Sequence, residues 1–253
     1  MVNIAKSVGL LAASLLIMAG NAVASDMVQI SAGSYRPLYL KKDTPLINVK
    51  SFQIDKLPVT NRQFAEFLNS HPQWQKGRIS AKQAESSYLR QWIKKGKNYS
   101  PKPTDLNKPV TNVSWFAANA YCSAEGKHLP TINQWEYVGQ ASETKKNGAT
   151  DPNYTRTILD WYADGGRRGL RDVGKGKPNY WGIYDLHGLI WEWTEDFNSS
   201  QLSAGGTNSN LFCSGAAVGA ADPNDYAAFM RYSIRTTLQA KYVLNNLGFR
   251  CAK

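Results

Sequence analysis

Apolar and polar residues alternate in two short stretches near the N-terminus, and this period of two predicts β-strands. The first stretch is Met27–Ile30, and the second covers residues 49–54. Both are only a few residues long, so they predict short strands rather than the long strands of a barrel or sandwich.

Three later stretches have the 3.6-residue spacing of helices, and each follows a side chain that can accept hydrogen bonds from the first turn. These N-caps are Thr60 or Asn61, then Ser114, then Thr131. Gly126 is placed to end the second helix, because a glycine adopts the left-handed conformation at a helix C-terminus readily. Gln134 completes a capping box with Thr131 in the third helix.

The sequence pattern in the rest of the chain predicts little regular structure. Residues 73–108 are polar and basic, which predicts a surface insertion with one helix near residues 81–92. Residues 142–181 are rich in Gly, Asn, Lys and Asp, which is typical of long loops. The pattern as a whole predicts a single α+β domain, irregular and loop-rich, with few short strands and helices.

The N-terminus has the pattern of a secretory signal peptide. Lys6 supplies a positive charge, Val8–Ala19 is almost entirely apolar, and Ala22 and Ala24 form a small-x-small cleavage site. We predict a signal peptide over residues 1–24 and a mature domain over residues 25–253. The expected location is periplasmic or secreted, with no stable membrane anchor after signal cleavage; an uncleaved anchor is the alternative.

Composition and charge argue against two classes of protein, disordered chains and nucleic-acid-binding proteins. Apolar residues make up 42% and charged residues 19% of the chain, which excludes intrinsic disorder. Lys and Arg number 30 against 19 Asp and Glu, for a formal net charge of +11. The basic clusters are scattered and accompany no nucleic-acid motif, so we expect no nucleic-acid partner. They form either a solvated surface or one that meets an acidic partner or an anionic envelope surface.

The sequence contains three cysteines, Cys122, Cys213 and Cys251. Export permits disulfides, but an odd number leaves at least one thiol outside any internal bond. There is no CxxC or HxxxH spacing, and the three histidines are far apart in the sequence. A zinc or non-haem iron site built from neighbouring ligands is therefore not supported.

Four segments carry distinctive motifs in a fixed order across the mature chain. They are residues 58–64 (PVTNRQF), 109–141 (beginning PVTNVSWFAANAYC), 184–194 (YDLHGLIWEWT) and 246–252 (NLGFRCA). Together these motifs resemble those of the formylglycine-generating enzyme family, also called the sulfatase-modifying-factor family. The resemblance implies a fold related to C-type lectins.

The resemblance also implies two structural features. A disulfide would join Cys122 to Cys251; two buried free thiols are the alternative. A structural calcium ion would take carboxylate oxygens from Asp185 and Glu192. It would also take the backbone carbonyls of Gly188 and Ile190, on an irregular loop of the kind that calcium prefers. The alternative is that both carboxylates only satisfy loop N–H groups.

The oxidase chemistry of the family does not carry over to this chain. Family members use two cysteine thiolates to hold copper, and the alignment places Asp222 and Ala227 at those two positions. Soft thiolates suit Cu(I), and neither replacement supplies one. True formylglycine generation is therefore not expected, and bound copper or iron stays open. Cys213 lies upstream, where a structural thiol and a redox-active thiol are both open interpretations.

A polar segment takes the place of the missing thiols. As catalytic residues we consider Asp222 or Asp225 as base, Tyr226 as acid, and Arg235. As ligand-binding residues we consider Arg231 and Cys213. A structural ion pair between Asp225 and Arg231 is the alternative.

Two functional hypotheses follow. The first is an exported maturation or oxidative tailoring factor, which acts on an unidentified protein or small molecule in the periplasm without the copper site. The second is a non-catalytic, calcium-stabilised module that binds a ligand or a protein. The first predicts oxygen-dependent turnover, and the second predicts binding without turnover.

Overall fold

The computed structural model describes residues 26–37, 45–165, 167–198 and 223–253. Within them lie five α-helices: α1 (Asn61–Ser70), α2 (Trp115–Ala124), α3 (Ile132–Gly139), α4 (Pro152–Asp164) and α5 (Pro223–Thr237). The signal-peptide segment and Cys213 lie outside the described residues. A search of the described part for a helix long and apolar enough to cross a membrane found none.

Eight short strands form four separate two-stranded sheets in this part of the chain. They are β1 (Met27–Ile30), β2 (Gly33–Tyr35), β3 (Ile47–Val49), β4 (Phe52–Asp55), β5 (Ile93–Lys95), β6 (Asn98–Ser100), β7 (Trp191–Glu192) and β8 (Leu247–Gly248). Three pairs are antiparallel: β1 with β4, β2 with β3, and β5 with β6. The β7–β8 pair is parallel and places Trp191 opposite Leu247. This irregular, loop-rich α+β architecture confirms the predicted fold class.

The capping residues predicted from the sequence are confirmed. Thr60 and Thr131 each form a complete capping box with the glutamine three residues later. The Ser114 side chain accepts a hydrogen bond from the Ala117 N–H at the start of α2. Gly126 has φ +66°, the left-handed conformation expected just after that helix.

Three predictions about local structure are wrong. Residues 49–54 form the end of β3 and most of β4, because those two strands pair with different partners. Residues 81–92 form successive turns instead of a helix, and Leu89 has φ +46° while its N–H donates to the Asn112 carbonyl. Residues 142–181 include α4, which has Asp151 as its N-cap and Gly165 at its C-terminus.

Within the described residues, two groups of buried apolar side chains form the core. The larger one packs α1 and α2 against Trp193 and Phe249. The smaller one packs the β1–β4 sheet against the aromatic side chains of α3. Cys122 on α2 and Cys251 are joined by a disulfide between two completely buried residues, as the resemblance implied. This bond holds the segment after β8 against α2.

Candidate functional site

Helix α5 carries the described part of the predicted polar site. Tyr226, near its N-terminus, is 45% exposed, whereas Arg231 and Arg235 are 2% and 6% exposed. Asp222, Cys213 and the side chain of Asp225 lie outside the described residues. Helix α5 therefore presents the phenol of Tyr226 to solvent and directs both guanidinium groups into the protein.

The two arginines bind one buried carboxylate on α3. Arg235 Nη1 donates to Glu136 Oε1 at 2.6 Å, and Arg231 Nη2 donates to Glu136 Oε2 at 2.9 Å. Arg231 Nε also donates to both carboxylate oxygens, at 3.1 and 3.2 Å. Burial alone would raise the pKa of the Glu136 carboxyl, but the two guanidinium groups outweigh it and lower that pKa to about 2.

A second buried ion pair adjoins this triad through Trp135. Both guanidinium groups of the triad lie over the Trp135 ring, with Cζ 5.8 Å (Arg231) and 5.0 Å (Arg235) from its centroid. Trp135 Nε1 donates to Glu192 Oε2 at 2.7 Å, and Arg250 Nη2 donates to Glu192 Oε1 at 2.8 Å. The two ion pairs and the indole between them form one network that links α3, α5, β7 and the segment after β8.

His187 packs beside this network rather than acting as a free ligand. Its Nε2 lies 2.7 Å from the Gly139 carbonyl oxygen, which can only accept, so Nε2 carries the proton. Tyr154 Oη donates to the same carbonyl at 2.6 Å. Burial, together with the charge of Arg231, lowers the pKa of His187 to about 3. The ring is therefore neutral at physiological pH.

These two pKa values predict how stability changes with acid. Each pKa is lower in the folded protein than its ordinary value, 4.5 for Glu136 and 6.5 for His187, so the unfolded chain binds more protons. The stability from His187 is complete above pH 6.5 and is lost toward pH 3. That from Glu136, on the order of 3 kcal/mol, is complete above pH 4.5 and is lost toward pH 2.

We therefore expect the free energy of unfolding to fall steadily from pH 7 to pH 3 in urea titrations. His187→Gln should flatten the part of this decrease that lies above pH 4.5. A stability that does not change between pH 7 and pH 5 would contradict the assignment of a neutral, buried imidazole.

Of the four residues predicted to bind calcium, the two carboxylates are held by other contacts in the structure. Asp185, at φ +59°, accepts from Arg171 Nη1 at 2.8 Å and from the Gly174 N–H at 2.6 Å. Glu192 accepts from Arg250 and Trp135, as described above. Gly188 has φ +87°, and Ile190 is buried. Among the described residues no group of three or more His, Cys, Asp or Glu side chains could hold a metal ion.

This donor set does not fit a calcium ion. A divalent cation would have to share each carboxylate with a guanidinium group, and the side chains of Asp185 and Glu192 are completely buried. Calcium at these residues remains a prediction from the sequence resemblance, and the contacts weigh against it.

We expect chelation with EDTA to leave the melting temperature of the purified protein unchanged, because arginines already neutralise both carboxylates. Elemental analysis that finds one calcium per chain, with a melting temperature that falls on chelation and recovers with added calcium, would establish the ion instead.

A solvent-facing cleft lies beside the buried network. The cleft has a volume of about 560 Å³. We call it the α4 cleft. The residues that line it include Trp161, Asp164, Arg168, Arg171, Asp185 and Asn246. Arg171 pairs with Asp185 at 2.8 Å, and Arg168 pairs with Asp164 at 3.3 Å. The cleft therefore offers both charges, amides and one indole, a combination suited to binding a polar or zwitterionic group.

The sequence predicted the two arginines but missed their partner. The sequence placed Arg231 and Arg235 at i, i+4 spacing, and the structural alternative paired Arg231 with the local residue Asp225, whose side chain lies outside the described residues. The observed partner, Glu136, is distant in the sequence and lies between two aromatic residues on α3. A carboxylate on an otherwise aromatic, buried face of a helix is the feature that could have indicated it.

The comparisons with known proteins agree with this architecture. The profile described as "Sulfatase-modifying factor enzyme 1-like domain" matches residues 13–253, so the chain belongs to that family.

Two relatives come from Bos taurus. An "Inactive C-alpha-formylglycine-generating enzyme 2" is 27% identical over 92% of this chain and 89% of the relative. A "Formylglycine-generating enzyme" is 26% identical over 81% of this chain and 66% of the relative. The crystal structure of CarF, at 15% identity, superposes with a TM-score of 0.50 over 90% of this chain and 97% of CarF. That likeness shows the fold alone.

Proposed function

We propose that this chain is an exported, formylglycine-generating-enzyme-like accessory protein that binds its partner without copper–thiol oxidation. One observation carries this proposal. Arg235, considered above as a catalytic residue, and Arg231, considered as a ligand-binding residue, are both bound to the buried Glu136. These ion pairs hold α3 and α5 together next to the α4 cleft. Both guanidinium groups are buried and neither lines the cleft, so neither is available to a ligand there.

The environment of Ala227 supports the same conclusion. The sequence alignment places this residue where family members carry a copper-binding thiolate. Ala227 is 2% exposed, and its carbonyl accepts hydrogen bonds from Tyr162 Oη at 3.1 Å and Arg231 Nη1 at 3.2 Å. A buried methyl group, anchored to the ion network, stands at that position. A relative described as inactive also favours a role other than formylglycine generation.

The direct test of lost oxidase chemistry uses a peptide that contains Cys-x-Pro-x-Arg, with Cu(I) and oxygen. We expect mass spectrometry to find the cysteine unmodified, whereas an active formylglycine-generating enzyme converts it in a parallel reaction. Conversion by this chain would overturn both the proposal and the alignment that assigns Asp222 and Ala227 to the thiol positions.

The binding role is tested by photo-crosslinking in the native cell. A photoreactive amino acid at Asn245, an exposed residue of the same cleft, should yield one adduct of defined mass. The same amino acid at the exposed Lys50 is the matched control. Arg168→Glu should reduce the Asn245 adduct by disturbing the cleft. An adduct that forms equally from both positions would contradict binding in the α4 cleft.

An oxidative tailoring role is the second candidate, favoured by the exposed phenol of Tyr226. Oxygen uptake that depends on the crosslinked partner, and that is lost in Tyr226→Phe, would support it. N-terminal sequencing of the exported protein tests the location that both candidates share, with Ser25 expected as the first residue.

A further inference from the structure

The β5–β6 hairpin is an exposed feature to which the proposed function assigns no role. All six residues from Ile93 to Asn98 are exposed, and Gly96, at φ +63°, forms part of the turn. Tyr99 on β6 packs against the larger core group, and Trp92, just before β5, is 4% exposed. The hairpin is therefore a projection with a firmly anchored base.

The hairpin carries a concentrated positive charge. Lys94, Lys95 and Lys97 lie on it, and none of them forms an ion pair with a described carboxylate. The insertion around it, residues 73–108, has nine basic and two acidic residues. Much of the net charge of +11 is thus found in this one segment.

Two further cations lie at the base of the hairpin. The ammonium group of Lys76 stands 4.8 Å from the centroid of the Tyr99 ring and donates to the Leu89 carbonyl. Burial, and then the neighbouring charge of Arg90, lower the pKa of Lys76. Lys76 and the nearby Arg90 therefore add positive charge at the base of the hairpin.

An exposed apolar side chain distinguishes this surface from a purely electrostatic one. Ile93 is 45% exposed at the start of β5, directly before two lysines. In the strand register it stands opposite Ser100, while Lys95 stands opposite Asn98. Ile93 and Lys95 therefore share one face of the hairpin, opposite to the face on which Tyr99 lies against the core.

We propose that the β5–β6 hairpin docks the protein onto an anionic phospholipid surface, with its lysines among the headgroups and Ile93 at the acyl boundary. Anionic headgroups attract clustered lysines, and an apolar side chain among those lysines gains free energy only where hydrocarbon is within reach. A nucleic acid or an acidic polysaccharide would satisfy the lysines but leave Ile93 in water.

The test is sedimentation of the full-length mature protein with vesicles. Vesicles that contain phosphatidylglycerol and phosphatidylcholine should bind it, and vesicles of phosphatidylcholine alone should not. The variant K94Q/K95Q/K97Q should bind the anionic vesicles on the order of 100-fold more weakly. The matched control K145Q/K146Q/K175Q removes three exposed lysines elsewhere and should weaken binding by less than about threefold.

The substitution Ile93→Ser measures the apolar contribution to binding separately from the contribution of the lysines. It should weaken binding to anionic vesicles by a factor of roughly 3–10 while the dependence on salt stays unchanged. Equal losses in the two lysine variants would overturn the proposal, because the net charge alone would then explain binding. Binding to heparin or DNA without binding to anionic vesicles would also overturn it. Circular dichroism melting curves that match the wild type confirm that each variant is folded.

Discussion

Replacing Glu136 with alanine should lower the free energy of unfolding by roughly 3–5 kcal/mol, because the substitution leaves two buried guanidinium groups without their shared carboxylate. Arg231 and Arg235 are 2% and 6% exposed, so water cannot replace the lost partner. Urea or thermal unfolding of the purified variant measures this loss.

Two further variants keep the prediction informative even if Glu136→Ala does not fold. Glu143→Ala removes a carboxylate from an exposed ion pair with Lys177, at 3.1 Å, and should cost less than about 1 kcal/mol. The apolar triple variant E136L/R231M/R235M should recover most of the stability, since it removes all three charges together. A Glu136→Ala protein within about 1 kcal/mol of the wild type would contradict a structural role for the triad and would return Arg231 and Arg235 to the catalytic hypothesis.

Loss of the disulfide should have an effect of similar size. Cys122 and Cys251 are separated by 129 residues in the sequence, and a loop of that length corresponds to roughly 5 kcal/mol of stabilisation in the chain-entropy description. For a domain of this size that corresponds to a fall in melting temperature of roughly 10–20 °C. The double variant C122A/C251A and thermal melting test this expectation.

Reduction of the wild type provides an independent check of the same bond. Dithiothreitol should lower the melting temperature of the wild type to nearly that of C122A/C251A, and it should leave the variant unchanged. If reduction also destabilised the double variant, another thiol would have to contribute, and the assignment of stability to this one disulfide would be wrong.

Local sequence patterns were sufficient to predict contacts between residues that are close together in the sequence. The caps Thr60, Ser114 and Thr131 each bond to an N–H three residues away, so they could be identified without knowledge of the fold. Helix α4 was missed although Asp151, Pro152 and Gly165 carry the start and end features of a helix. Its weakly apolar, Asn-rich surroundings favoured a loop, and packing against the rest of the domain decided otherwise.

The ion network could not be predicted in the same way. Glu136 meets Arg231 and Arg235 only because α3 and α5 pack together, and no local spacing relates these helices. The motifs at residues 184–194 and 246–252 contain Glu192 and Arg250 separately, and only Glu192 was assigned a role, as a calcium ligand. Their contact at 2.8 Å depends on the parallel pairing of β7 with β8.

The bond between Cys122 and Cys251 also sets the order in which the domain can be completed. The backbone of Ala252 bonds to that of His128, and Arg250 binds Glu192, so the segment after β8 joins parts of the chain made much earlier. Cys213 leaves the ribosome before Cys251 does. Until residue 251 has been made, Cys213 is the only other thiol in the sequence, so the native crosslink can form only at a late stage of folding.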